Sequence, residues 1–292
     1  MYRIISDSAC DLSQTYIKEN DVTIVPLSVS FDGENYYRDN IDISRNDAYQ
    51  KMIDNPNLYP KTSLPSVELY YNTFREYVEQ DIPVVCFTIS TILSGSYNSA
   101  KNAMDMIMED YPNAKLYVIN SKQNTVTQAQ IVDQMVRMRD ANVPLDEALE
   151  KINKVIDSAR IFFTVGSLDY LQMGGRIGKV AAAASKIDVK PVIIMKDGDI
   201  GLGGIGRNRN KLKKKVLAVA NKYLSENNKE DFVVSVGYGY DASEGVSFMD
   251  DVEEVLGVKL QSSTNVAIGI ITGTHTGPHA IGLGVVKKYE TV

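Results

Sequence analysis

The chain contains few of the residues that build disulfide scaffolds, metal sites and membrane spans. It has two cysteines, two histidines and no tryptophan among its 292 residues. Cys10 and Cys86 do not form a Cys-x-x-Cys pair, so we expect reduced, buried thiols rather than a disulfide framework. No apolar run approaches the roughly 20 residues that cross a bilayer, and the first residues contain no apolar signal region. These absences predict a cytoplasmic protein without a transmembrane segment.

Basic residues are in the minority, with 31 Lys and Arg against 37 Asp and Glu. The net charge of −6 and the pI near 5.1 argue against a nucleic-acid-binding protein, because such proteins carry a surplus of positive charge. The stretch from Arg207 to Lys215 is the exception and is strongly basic. It is either a solvated helix face or a docking surface for an acidic partner or a phosphorylated ligand.

Common nucleotide and hydrolase motifs are absent or out of context. A Gly-x-Gly-x-x-Gly pattern occurs at Gly201, Gly203 and Gly206, but residues 196–199 before it predict a hairpin turn rather than a strand that enters a phosphate loop. The chain has no Walker motif and no Gly-x-Ser-x-Gly nucleophile elbow. The sequence therefore does not support a dinucleotide site or a P-loop.

Alternating apolar strands and amphipathic helices predict an α/β protein with two domains, because a chain of this length can form two hydrophobic cores. We expect a doubly wound, mostly parallel sheet in residues 1–158 and a further α/β domain in residues 159–292. The predicted strands are 2–6, 22–30, 83–89, 115–120, 161–165, 191–195, 232–237 and 267–271. The predicted helices are 12–20, 46–53, 67–80, 97–109, 127–141, 145–158, 211–225 and 243–255.

Both histidines, His275 and His279, lie in one glycine-rich stretch. The apolar run 266–271 before it predicts a buried strand, so the histidines are expected in a loop at a strand end, where open α/β sheets bind ligands. The alternative is a hydrogen-bonded loop histidine without a ligand. A zinc pair would need a continuous helix through both residues, which Gly277 and Pro278 between them disfavour, and we expect no metal.

Three further polar clusters occur at predicted strand ends, at residues 6–8, 61–66 and 90–96. Their hydroxyls and backbone N–H groups can bind a carboxylate or a phosphate at a helix start, or they can simply cap the helices. Capping explains Ser8 and Ser66, whereas Thr62 and Ser94 lie short of a cap position. Arg176, between glycines, can reach an anion or a partner's carboxylate, or it is a surface arginine after a helix.

Short ordered motifs run through almost the whole chain. They are Ile5-Ser-Asp-Ser-Ala-Cys-Asp-Leu12, Val25-Pro-Leu27, Lys61-Thr-Ser-Leu-Pro-Ser66, Leu93-Ser-Gly-Ser-Tyr97, Tyr170-Leu-Gln-Met-Gly-Gly-Arg-Ile-Gly178, Lys190-Pro191, Arg207 and Gly273-Thr-His-Thr-Gly-Pro278. Together they resemble the DegV family of bacterial fatty-acid-binding proteins, and the resemblance extends to residue 288.

The resemblance implies that one long-chain fatty acid, such as palmitate, binds in a tunnel between two domains. Thr62, Ser94 and His275 would bind its carboxylate, together with Ser63 and Gly95. It further implies no cofactor and no catalysis by this chain. A separate ATP-dependent fatty acid kinase would phosphorylate the bound carboxylate, and the protein would carry the acyl phosphate toward phospholipid synthesis.

The resemblance also assigns Arg176 and Arg207 to kinase docking or to the acyl-phosphate state, and it is compatible with transient contact with a membrane surface. Two positions depart from the family pattern. His279 replaces a small residue and Leu64 replaces a frequent glutamine, so the tunnel mouth and the carboxylate network are expected to differ.

Two other classes of function remain open. The resemblance of the fold to dihydroxyacetone kinases allows an enzyme in which His275 engages a substrate, or pairs with Ser94 as base and nucleophile. A structural or regulatory module without a ligand is the third alternative.

Overall fold

The computed structural model describes residues 1–180 and 189–292. The strands in these ranges are β1 Arg3–Asp7, β2 Val22–Val25, β3 Ser28–Ser30, β4 Tyr37–Arg38, β5 Lys61–Ser63, β6 Val84–Thr88, β7 Leu116–Asn120, β8 Arg160–Thr164, β9 Lys190–Lys196, β10 Asp199–Gly206, β11 Phe232–Tyr238, β12 Val266–Ala267 and β13 Ile281–Lys287. The α-helices are α1 Gln14–Glu19, α2 Arg45–Asp54, α3 Val67–Val78, α4 Ser96–Asp110, α5 Thr125–Asp140, α6 Leu145–Ser158, α7 Asp169–Met173, α8 Arg209–Glu226, α9 Ala242–Leu256 and α10 Ile270–Thr276. In these two ranges, no helix is both long and apolar enough to span a bilayer.

The first sheet is parallel throughout and has the strand order β2-β1-β6-β7. Helices cover both of its faces, with α3 and α4 on one side and α1 and α5 on the other. Every residue of β6 is buried, as expected for a central strand with two covered faces. The prediction of a doubly wound parallel sheet is confirmed. Its strand order reverses between β1 and β6, which is where ligands bind in such sheets.

The predicted single strand 22–30 is wrong. The chain forms two strands, β2 and β3, interrupted at Pro26, which has no N–H for a sheet hydrogen bond and restricts the backbone. β2 stays in the parallel sheet, whereas β3 is the centre of a small antiparallel sheet of order β4-β3-β5. Because the chain leaves the parallel sheet between β2 and β3, strand β5 and the polar cluster of residues 61–66 lie near the end of the first sheet.

The second sheet is mixed and has the order β10-β9-β8-β13-β11-β12. Only β11 and β12 pair in parallel, and the other neighbours are antiparallel. Asp197 and Gly198, with φ of 53° and 82°, form the tight turn between β9 and β10, so the predicted hairpin is confirmed. Helices α8 and α9 cover one face of this sheet.

Helix α5 lies between the two large sheets. Every residue of this helix is buried except Arg137 and Asp140. Its apolar side chains pack in one core with Val85 and Phe87 of the first sheet and with residues of β11 and β13. Its polar side chains form hydrogen bonds in both directions. The domain boundary at residue 158 stays a prediction. The first strand of the second sheet along the chain, β8, begins at Arg160.

The apolar run 266–271 does not form the predicted strand. Strand β12 ends at Ala267, and helix α10 begins after Gly269. Apolar periodicity alone does not distinguish a short buried strand from a short buried helix, which explains the error. The helix ends at Gly277, where φ is 75°, so His275 lies in its last turn and His279 lies beyond it.

Candidate functional site

A cavity of about 730 Å³, counting its open mouth, lies between the ends of the sheets and is mainly apolar. Its polar residues are concentrated among elements β5, α4 and α10. The apolar wall consists of Leu27, Leu64, Ile89, Leu93, Phe163, Leu171, Met195, Ile200 and Ile271. The polar lining consists of Thr62, Ser94, Gly95, Asn124, Arg176, Thr272, His275 and Thr276.

His275 and Thr62 form the centre of the polar lining. The Nε2 atom of His275 lies 2.9 Å from Oγ1 of Thr62, so α10 and β5 are joined by a direct hydrogen bond. Burial and, to a smaller extent, the positive charge of the nearby Arg176 together lower the pKa of His275 from 6.5 to about 4. The imidazole is therefore neutral at pH 7, and it can donate or accept one hydrogen bond without carrying a charge.

Arg176 contributes a cation to the cavity wall. Its Nε and Nη2 atoms donate to the carbonyl of Leu93 at 3.2 and 3.1 Å, and Nη1 donates to the carbonyl of Gly174. Partial burial lowers the pKa of this guanidinium, but an arginine remains charged at neutral pH. The structure thus places Arg176 in the cavity wall, with three of its N–H groups directed at backbone carbonyls.

Gly174 leaves the room that His275 occupies. A Cβ atom at this position would lie 2.2 Å from Nδ1 of His275 and 3.0 Å from the carbonyl oxygen of Tyr170. Any side chain here would displace the imidazole from Thr62. Gly174, two residues before Arg176 in the motif, therefore has a packing role that the sequence interpretation missed.

Ser94 and Gly95 form the turn that leads into α4. The hydroxyl of Ser94 accepts a hydrogen bond from the N–H of Ser96 at 3.2 Å, so this serine does satisfy one group at the helix start. The same hydroxyl retains its own proton for donation to a ligand. Gly95 precedes the 15-residue helix, whose N-terminus carries a partial positive charge. Capping and ligand binding are compatible functions of this turn.

Three of the residues singled out from the sequence lie away from the cavity. Ser63 follows Thr62 on β5 and is exposed, because successive side chains of a strand point to opposite faces. Arg207 is exposed just before α8. His279 borders a separate surface groove, where its side chain packs against Gly166. Leu64, by contrast, lines the cavity and is 45% exposed.

A second, smaller chamber of about 350 Å³, counting its open mouth, adjoins the cavity, and the sequence interpretation did not predict it. Four residues line both spaces, namely Asn124, Phe163, Thr272 and Thr276. The remaining lining of the inner chamber is mainly apolar and comes from α5, β8, β11 and β13 and from Ile268 and Ala280, which lie just outside strands. Thr272 and Thr276 were missed as wall residues because the segment was assigned to a strand and a loop. In a helix, positions four apart share one face.

Comparisons with known proteins find close relatives along the whole chain. A family model described as "Uncharacterised protein, DegV family" matches residues 1–288. A stearic-acid-binding protein from Eubacterium ventriosum is 67% identical, and its crystal structure superposes with a TM-score of 0.98 over 100% of both chains. A fatty-acid-binding DegV family protein from Thermus thermophilus is 23% identical and shares the fold, with a TM-score of 0.85 over 98% of this chain and 99% of that one. A DegV domain-containing protein from Clostridium acetobutylicum is 27% identical over 288 residues, which is 98% of each chain.

Proposed function

Because the chain belongs to the DegV family, we propose that it binds one long-chain fatty acid in the cavity between its sheets. The carboxylate binds at Thr62, Ser94, Gly95 and His275, and the acyl chain extends into the inner chamber. The main support is a mainly apolar cavity whose lining includes the hydroxyls of Thr62 and Ser94, the imidazole of His275 and the guanidinium of Arg176. Relatives of this fold are described as fatty-acid-binding proteins and not as enzymes.

The acyl chain supplies most of the affinity. Burial of one methylene contributes about 0.8 kcal/mol, so roughly fourteen methylenes of a palmitate contribute about 11 kcal/mol before the costs of ordering and association. The carboxylate contributes orientation more than affinity. Arg176 stabilises its charge from the wall, and the N-terminus of α4 adds a second positive potential.

We also propose that the bound carboxylate is presented to an ATP-dependent fatty acid kinase in the cytoplasm, and that the protein carries the acyl phosphate afterwards. Hydroxyls and a neutral histidine hold a carboxylate without neutralising it. Arg176 is engaged with backbone carbonyls, which disfavours the bidentate clamp that would reduce the nucleophilicity of the carboxylate. Exposed Arg207 is the proposed contact for the kinase.

Mass spectrometry after denaturing extraction tests the binding step. The purified protein should release fatty acid in near-stoichiometric amount, either as isolated or after incubation with palmitate. No lipid under both conditions would contradict the carrier function and favour an enzyme that uses His275. The kinase step is tested separately with palmitate-loaded protein, labelled ATP and a desalted lysate of its own host. If no acyl phosphate that depends on the loaded protein forms, the kinase step is wrong and the binding function still stands.

A further inference from the structure

A buried carboxylate lies beside the start of α4, at the last residue of β1. Asp7 is completely buried. Its Oδ2 accepts hydrogen bonds from the N–H of Ile89 at 2.9 Å and from the hydroxyl of Ser96 at 2.7 Å. Its Oδ1 accepts one from Nε2 of Gln128 at 2.9 Å. One side chain therefore joins the end of β6, the first turn of α4 and the first turn of α5.

Each of these three elements contributes to the cavity wall close to its contact with Asp7. Ile89 itself lines the cavity. Ser96 directly follows Ser94 and Gly95, and Asn124 precedes α5. Asp7 is not a cavity-lining residue, so it reaches the site only through its neighbours.

Ser96 provides the direct connection to the proposed carboxylate site. Its hydroxyl donates to Asp7 and also shares a hydrogen bond of 2.7 Å with the hydroxyl of Tyr70. Its backbone N–H donates to the hydroxyl of Ser94 at 3.2 Å. Asp7 is thus connected through Ser96 to the first turn of α4 and to the hydroxyl of Ser94.

A carboxylate is a costly residue for a purely structural connection. Burial raises the pKa of Asp7, and the hydrogen bonds from Ile89, Gln128 and Ser96 offset only part of this effect. An apolar side chain of similar size would fill the same space at lower cost, but it would give Ser96 no acceptor.

We propose that Asp7 is a positioning residue for the fatty-acid carboxylate: it fixes Ser94 and Gly95 through Ser96 without touching the ligand. The inference rests on the proposed fatty-acid-binding function. It concerns the head group only, so loss of Asp7 weakens binding of an acid far more than binding of a neutral molecule with the same chain.

The experiment compares the affinities of palmitate and hexadecanol for lipid-stripped full-length protein. We expect the wild type to bind the acid roughly tenfold more tightly than the alcohol. Asp7→Ala and Ser96→Ala should each lower this ratio about fivefold or more, with a smaller change for the alcohol. Asp7→Asn retains an oxygen for Ile89 and Ser96 and should restore most of the ratio. If Asp7→Ala fails to fold, Ser96→Ala carries the test, since alanine is well tolerated in a helix.

Asp133→Ala is the matched control. Asp133, on α5, is also a buried carboxylate. It accepts hydrogen bonds from Tyr16 and Gln261 at 2.9 and 2.7 Å, but it lines neither chamber. Its loss should lower stability and leave the ratio unchanged. An unchanged ratio in Ser96→Ala, or equal losses of acid and alcohol in Asp7→Ala, overturns the inference. A wild type that does not distinguish the two ligands instead overturns the proposed carboxylate site.

Discussion

At position 174 the packing against His275 leaves no room for a methyl group. We expect Gly174→Ala to push the imidazole away from Thr62 and to lower fatty-acid affinity about tenfold, with a stability loss of about 1–3 kcal/mol. Gly201→Ala is the control, because a Cβ there would meet only the carbonyl oxygen of Ile194, at an ordinary 3.8 Å. Calorimetric titration with palmitate and thermal unfolding measure both effects. Equal behaviour of the two variants would contradict the packing role of Gly174.

His275 makes the stability of the protein dependent on pH. Because its pKa falls from 6.5 to about 4 on folding, the unfolded chain takes up a proton between these values and the folded chain does not. Stability therefore falls as the pH is lowered from about 6.5 to 4, by up to about 3 kcal/mol from this residue. The variant His275→Gln has no imidazole at this position, so its stability should lack this part of the pH dependence.

The buried carboxyl groups of Asp11 and Asp39 act in the opposite direction. Burial raises their pKa values to about 7 and about 6, so their contribution is present at low pH and is lost as the pH rises through those values. Denaturant unfolding of wild type and His275→Gln across this pH range separates the two effects. If the difference in free energy of unfolding between the two proteins does not change with pH, His275 is not held neutral in the folded protein.

The sequence predicted several site residues, and the structure brings Thr62, Ser94, Gly95 and His275 to one cavity. Their role as ligand contacts stays a prediction. Motif residues with small hydroxyls or an imidazole were recognisable because their chemistry is specific. Phe163 and Leu171 were not, because an apolar side chain in a cavity wall has the same sequence signature as one in a core.

Among the elements, strand β5 offers the sharpest test of the site. Its alternation turns Thr62 toward the cavity and Ser63 toward solvent. We expect Thr62→Ala to lower palmitate affinity about fivefold to tenfold, because it removes a hydroxyl and leaves Nε2 of His275 without its partner. Ser63→Ala should change the affinity less than twofold. Equal effects in a side-by-side titration would mean that the register of β5 is not what orients the site.

Helices with a polar face were predicted most accurately. Helix α6 spans the predicted residues 145–158, because its apolar side chains repeat along one face. Helix α5 was also predicted, but its burial on both sides was not. Its many Thr, Gln and Asp residues indicate a solvent face, whereas Gln128 and Gln130 form hydrogen bonds to neighbouring elements. Tertiary partners of this kind leave no periodic signal in one sequence.

At the scale of the whole molecule, α5 packs against and forms hydrogen bonds to both large sheets. Nε2 of Gln130 reaches Ser235 and the carbonyl groups of Val233 and Gly284 in the second sheet, at 3.0 to 3.3 Å. We expect one unfolding transition, seen at the same temperature by far-UV circular dichroism and by calorimetry. A fragment of residues 1–158 should expose the apolar side of α5, bind a hydrophobic dye and unfold without cooperativity. Two separate transitions in the full chain, or a stable fragment, would contradict this coupling.

The position of α5 also constrains how the protein evolves. A helix with a solvent face can change one residue at a time, whereas a residue such as Ala129, which has no exposed surface, can enlarge only if a facing strand gives way. A substitution in one half of the molecule that contacts α5 therefore requires a compensating substitution in the other half. A chimera that joins residues 1–158 of one homologue to the remainder of a distant one inherits mismatches on both faces of α5, even when each half is native in its own parent.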